Sequence, residues 1–119
     1  SIAALETSLA ADGKLTGNEF KQLQQALNEA SVSIWTEKHD TDGNQMPVYR
    51  LDKNVVANAT LLARLADENM GRAEAQALLK DFRRMIELKK LLSGDLAEAE
   101  RAKQQTEYDN LLNRYFEVR

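Results

Sequence analysis

Two short stretches gather the residues of this chain that could do chemistry. The first runs Asp12-Gly13-Lys14-Leu15-Thr16-Gly17-Asn18-Glu19 and sets two carboxylates either side of a glycine turn. The second runs His39-Asp40-Thr41-Asp42-Gly43-Asn44 and carries the only histidine beside two aspartates. Carboxylate oxygens in turns suit a hard cation such as calcium. An imidazole with neighbouring carboxylates suits zinc or another transition ion. The candidate metal ligands are therefore Asp12, Glu19, His39, Asp40 and Asp42. Cysteine is absent, which removes thiolate zinc sites, disulfides and cysteine nucleophiles together and leaves the redox compartment open. No phosphate-cradling glycine loop and no nucleophile elbow occurs, so neither a catalytic residue nor a cofactor is expected.

Both turns fall short as metal loops. The first resembles the second half of an EF-hand loop, with Asp12 and Gly13 at the fifth and sixth positions, Leu15 at the eighth and Glu19 at the twelfth. The first and third positions would then be Ser8 and Ala10, and alanine has no side-chain oxygen. Calcium takes about six to eight oxygens, more than this loop supplies. The second turn has Pro47 and Tyr49 where a closing glutamate belongs, and no second His or Cys to hold zinc. Asp and Asn there serve a turn by bonding their own backbone. Both turns are expected to be structural.

The elements that position these turns are helical. Thr16 and Glu19 have the form of a capping box. Behind them Phe20, Leu23, Leu27, Ala30 and Ile34 recur at steps of three and four, which predicts a helix to about Lys38. Before it, Ile2, Leu5 and Leu9 mark a brief helix that only packing would hold, ended by Asp12-Gly13. Pro47 disfavours helix at Met46, and Val48-Tyr49 suits a short extended piece. Asp52 is the expected N-cap of a third helix carrying Val55, Val56, Ala59, Leu61, Leu62, Leu65 and Ala66. Met70-Gly71 stops it, with Gly71 placed for a left-handed terminus. A fourth helix starts near Arg72, turns Ala75, Leu78, Leu79, Phe82, Met85, Ile86 and Leu92 inward, and ends at Ser93-Gly94. Asp95 to Glu98 offers a second capping pattern for a fifth. With no repeat and only short connections, the expected fold is all-α: one domain, 1–119, forming a bundle of four to five antiparallel helices.

Composition agrees with a folded domain. The 119 residues are 43% hydrophobic and 29% charged, an ordinary globular balance. Sixteen basic against 19 acidic side chains leave a formal charge of −3, which speaks against a dedicated nucleic-acid binder. No apolar run approaches the roughly 18 residues a membrane span needs. A chain starting at Ser1 fits a processed secreted protein and a trimmed one equally. In the fourth helix Lys80, Arg83, Arg84, Lys89 and Lys90 outnumber Asp81 and Glu87. Such a run could meet an acidic partner, but it is more simply the solvated face of a helix.

The last turns crowd Tyr108, Leu111, Leu112, Tyr115, Phe116 and Val118, more apolar and aromatic mass than one stripe needs. On a helix Leu112 and Phe116 lie about 100° round from Leu111 and Tyr115. One face would complete the core and the other would be left near the surface, so Leu111, Leu112, Tyr115 and Phe116 are the expected partner surface.

The pattern of Asp12, Gly13, Leu15, Thr16 and Glu19, followed by Ser31, Ile34, Lys38, His39 and Asp40, resembles a segment of small helical proteins of the bacterial periplasm. Those proteins share the form DGxLTxxE…SxxIxxxKH with Asn or Asp next. The resemblance covers about a quarter of the chain, leaves residues 50–119 outside it, and implies an envelope or secreted location with no activity. The expected function is a non-enzymatic interaction or structural module of the bacterial cell envelope that binds a protein partner or self-associates. A divalent-metal-responsive protein is the alternative, and a cytoplasmic location the alternative compartment.

Overall fold

The capping box forms as its residues dictate. In the computed structural model, which describes residues 2–9, 13–39 and 48–119, Glu19 N–H donates to Thr16 Oγ1 at 3.1 Å and Thr16 N–H to Glu19 Oε1 at 2.9 Å. Helix α2, Gly17–Trp35, follows and buries Leu23, Leu27, Ala30 and Ile34. Before it stands α1, Ile2–Ser8, held by Leu5 and by the neighbouring Leu9 in the core. After it come strands β1, Thr36–His39, β2, Val48–Leu51, and β3, Val55–Ala57, then α3, Ala59–Leu65. The chain closes with α4, Arg72–Leu92, α5, Glu98–Tyr115, and β4, Phe116–Val118.

The domain is mostly helical, five helices packed together among the described residues, but it is not all-α. Two antiparallel ladders interrupt the bundle. Strands β1 and β2 pair with Thr36 opposite Leu51 and His39 opposite Val48; β3 and β4 pair with Val55 opposite Val118 and Ala57 opposite Phe116. Each ladder is short, so no long alternating pattern announces it.

Four local expectations are corrected. Helix α2 ends at Trp35 rather than Lys38, because the next residue takes the extended conformation (Thr36 φ −81°, ψ 124°). Lys89 fixes that ending: its ammonium donates to the carbonyls of Ser33, Ile34 and Thr36 at 2.7–2.8 Å. Asp52 does not cap a helix; its Oδ1 accepts from Asn54 N–H at 2.9 Å in a tight turn. The β-branched pair Val55-Val56 then extends. Asn58 caps α3 instead: Oδ1 accepts from Leu61 N–H, while its side-chain amide donates to Arg114 O and its backbone N–H to Tyr115 O, all at 2.9 Å.

Gly71 is extended at the N-cap of α4, and among the described residues the left-handed glycine is Gly13, at φ 87°. That conformation lets Gly13 O accept from Arg72 N–H at 2.9 Å, beside the Leu15 N–H bond to Met70 O, so the two turns lock each other. Asp95 does not cap α5 either. The N-cap is Ala97 with no side-chain bond, and Arg101 instead closes the connection by donating to Leu92 O and Gly94 O at 2.6 Å.

Helix α4 is the spine. Ala75, Leu78, Leu79, Phe82, Met85 and Leu88 are all fully buried, and α1, α2 and α5 pack around them. Ile86 and Leu92 are only half-buried. The two caps give a direct test. Thr16→Ala should lower stability by about 0.5–2 kcal/mol in urea melts. Asn58→Ala should fall at the upper end of that range, since it also leaves Arg114 O without its donor. Superimposable curves would show that neither helix start depends on its cap.

Candidate functional site

Glu19, the strongest ligand of the first turn, is already engaged. Its Oε1 accepts from Thr16 N–H and, at 2.9 Å, from Arg72 Nη2. The Thr16 amide and the Arg72 guanidinium hold this carboxyl below its ordinary value. His39 lies in β1 opposite Val48. Asp12, Asp40 and Asp42 lie outside the described residues. Among the described residues no three His, Cys, Asp or Glu groups converge as a metal site would require.

The cations of α4 tie helices together. Arg83 reaches Glu6 of α1 and its own Glu87, both at 2.7 Å. Arg84 reaches Glu107 of α5 at 2.6 Å, which lowers the Glu107 carboxyl pKa. Asp81 accepts from Arg114 at 3.0 Å and from the Tyr115 hydroxyl. Burial, with the Asp81 charge added, pushes Tyr115 up to about 12. These exposed and half-exposed pairs are worth a few tenths to about 1 kcal/mol each, and they set register more than stability.

The C-terminal side chains expected as a partner surface pack into the core. Leu111, Tyr115 and Phe116 are 7, 2 and 8% exposed, and Leu112 is half-buried against them. The 100° argument fails because the helix stops at Tyr115. Phe116 belongs to β4, where its extended backbone turns the ring inward. It meets Trp35 edge-on at 5.4 Å and Phe82 at 5.8 Å, and Phe82 meets Tyr115 at 5.2 Å.

What the ring of Phe116 helps to form is a groove of about 240 Å³. Leu27, Leu61 and Phe116 are its buried base. One wall is the face of α2 carrying Asn28, Ser31, Val32 and Trp35; the other is Leu51, Asp52, Val55 and Ala57. Two rim side chains stand half in solvent, Val32 at 46% and Leu51 at 49% exposure. Trp35 Nε1 is sealed in the wall without an acceptor among the described residues. Comparison with known protein families, characterised proteins and solved structures finds no match. The groove must therefore be read from its own chemistry. It is apolar, its polar lining is mostly neutral, and among the described residues its sole charged lining residue is Asp52.

Sequence reasoning missed the groove. Leu27, Ser31 and Trp35 step by four along α2, a second face beside the main stripe, and Val32 stands next to it. That face was the available signal. Its opposite wall comes from the strand at 55–57, which periodicity assigned to a helix.

Three outcomes follow. A carboxyl whose pKa is lower folded than unfolded contributes stability above its unfolded value of about 4.5, lost as pH falls through the folded value. Glu19→Gln, which keeps the amide acceptor but not the charge, should therefore flatten the acid limb of the stability curve. Urea midpoints at pH 7 and pH 3 for parent and variant measure this, and parallel limbs would remove Glu19 from it. The same melts with calcium or zinc should superimpose on those in EDTA. A specific ion at a hundredfold excess over its Kd would add about 2.7 kcal/mol. Phe116→Ala should cost about 3–5 kcal/mol, whereas a surface ring would leave the melt within about 0.5 kcal/mol.

Proposed function

We propose that this chain is a non-enzymatic interaction module of the bacterial cell envelope that docks a protein segment in the groove between α2 and the β3 side. The observation that carries the reading is the exposed apolar rim: Val32 and Leu51 stand half in solvent over a base of buried Leu27, Leu61 and Phe116. A cleft with buried apolar anchors and a polar margin is how protein interfaces concentrate their binding energy. The cleft between α1 and α4 differs in kind. Open and about 720 Å³, it is lined by the paired Glu6 and Arg83, groups already spent on holding helices together.

The envelope location rests on the periplasmic resemblance of the segment from Asp12 to Asp40. No helix among the described residues is long and apolar enough to cross a membrane. Self-association through the same rim is included in the reading, since a second copy is also a protein partner.

Photo-crosslinking tests it. A benzophenone amino acid placed at Val32 or at Leu51 should give defined adducts in bacterial envelope fractions. The same residue at exposed Lys103 of α5 should give none. Val32→Lys should abolish the Leu51 adduct while moving the melt by no more than about 0.5 kcal/mol, as for a surface change. Equal yields from all three positions, or none from the groove, would reject the docking role.

A further inference from the structure

The hydrogen-bond register of the second ladder specifies what kind of segment the groove takes. Asn58 N–H donates to Tyr115 O, and Arg119 N–H to Asn54 O. Both pairs lie in register with Val56 opposite Glu117. In an antiparallel ladder these alternate residues turn both backbone groups toward the partner strand. Asn54, Val56 and Asn58 therefore face β4, and the N–H and C=O of Val55 and Ala57 face the other way. No backbone or side-chain group among the described residues meets those four groups. Val55 and Ala57 line the groove, and Val56 does not.

The residues that carry this edge, Val55 and Ala57, also line the groove. Strand β4 continues directly from α5, so the paired edge of β3 lies toward α5. Helices α2 and α5 each pack on α4 without packing extensively on one another. The groove lies between α2 and the ladder, against the face that Val55, Ala57 and the cross-strand partner Phe116 share. An edge strand with unpaired groups is a template for another strand. Beside this one lies an apolar channel.

Size and charge narrow the occupant further. Small-molecule sites run from about 300 Å³ upward, and this groove, at about 240 Å³, is below that. It suits alternate side chains of a segment whose backbone stays at the strand edge. Asp52, its sole charged lining residue among the described ones, favours a basic residue at that end and disfavours an acidic one.

We propose that the groove binds an extended peptide segment that adds as a third strand to the free edge of β3. Apolar side chains at every second position enter the groove, and a basic residue sits at the Asp52 end. This rests on the docking reading above and names its partner. Backbone pairing with Val55 and Ala57 supplies register, as in other strand-addition complexes, and Trp35, Val32 and Leu51 supply side-chain contact.

The chain's single tryptophan is Trp35, in the groove wall, so its emission reports occupancy. The probes are seven-residue peptides alternating Val, Leu, Phe or Tyr with Thr, each ending in lysine, titrated to millimolar concentration. At least one should shift Trp35 emission saturably, and Val32→Lys should abolish the shift with the helical circular dichroism unchanged. N-methylation removes backbone donors, so the best binder is made in two forms, methylated at odd or at even residues. One form should bind about tenfold or more weakly and the other nearly as the parent, because only one edge of an added strand faces β3. Replacing the terminal lysine with glutamate should also weaken binding.

Equal effects of the two methylations, whether both tolerated or both lost, overturn strand addition and leave the groove as a side-chain pocket. No shift from any peptide overturns it too, and the crosslinks at Val32 and Leu51 then decide separately whether the groove docks anything. Concentration-dependent sedimentation of the protein alone, abolished by Val32→Lys, would make the occupant a second copy and replace the peptide.

Discussion

The structure depends on one aromatic contact chain, Trp35 to Phe116 to Phe82 to Tyr115. Its members come from the end of α2, from β4, from the middle of α4 and from the end of α5, so each ring joins an element that would otherwise be free to slide. Centroid separations of 5.2–5.8 Å and tilted or edge-on planes are the geometries ring quadrupoles favour, each worth about 0.5–1.5 kcal/mol beyond area burial. Phe116 is the branch point. Its ring can reach both Trp35 and Phe82 because the backbone leaves the helix at Tyr115; a further helical turn would carry it round toward solvent.

That exit is matched at the other end of the chain of rings. Helix α2 stops one residue after Ile34 because the Lys89 ammonium takes the carbonyls that a continuing helix would use. A cation at a helix C-terminus also answers the negative end of the helix dipole. Burial lowers the Lys89 pKa, a cost the three acceptors offset. The charge thus does its work in a half-buried position, where screening by salt is weaker than at the surface. With α2 ended there, Trp35 lies against Phe116 and β1 starts at Thr36. Both ladders therefore begin where a helix is stopped by something from another part of the sequence.

This explains which parts of the fold were legible. The interior of α2 and most of α4 could be read because their signals are local: a capping box, then apolar residues at helical spacing. The core positions Leu23, Leu27, Ala30, Leu78, Leu79, Phe82 and Met85 follow from that spacing alone. The endings could not, because Lys89 lies more than fifty residues from the carbonyls it caps, and Asn58 is chosen over Asp52 by its bonds to Arg114 O and Tyr115 O. The same long-range choice hid the groove. Val55 and Val56 are compatible with a helix by periodicity, and only pairing with Glu117 and Val118 makes them a strand edge. The C-terminal cluster carries more apolar mass than one stripe needs. The surplus serves the core, since Phe116 fills the space between the α2 end and α4 that a straight helix would leave.

A bundle that turns two of its helices into strands exchanges self-contained hydrogen bonding for edges. In a helix every interior backbone group is satisfied within the element; in a two-stranded ladder half of them face outward. Evolution tolerates such edges when they are short or covered, and β3 is only three residues long. Short length limits aggregation, since three residues offer only the Val55 and Ala57 groups, too few to hold a partner by backbone bonds alone. A partner strand gains affinity here only if its side chains also fit over Leu27, Leu61 and Phe116. That double requirement discriminates. A polar extended segment meets the edge but not the groove, and an apolar helix meets the groove but not the edge. An extended segment with apolar residues at alternate positions satisfies both.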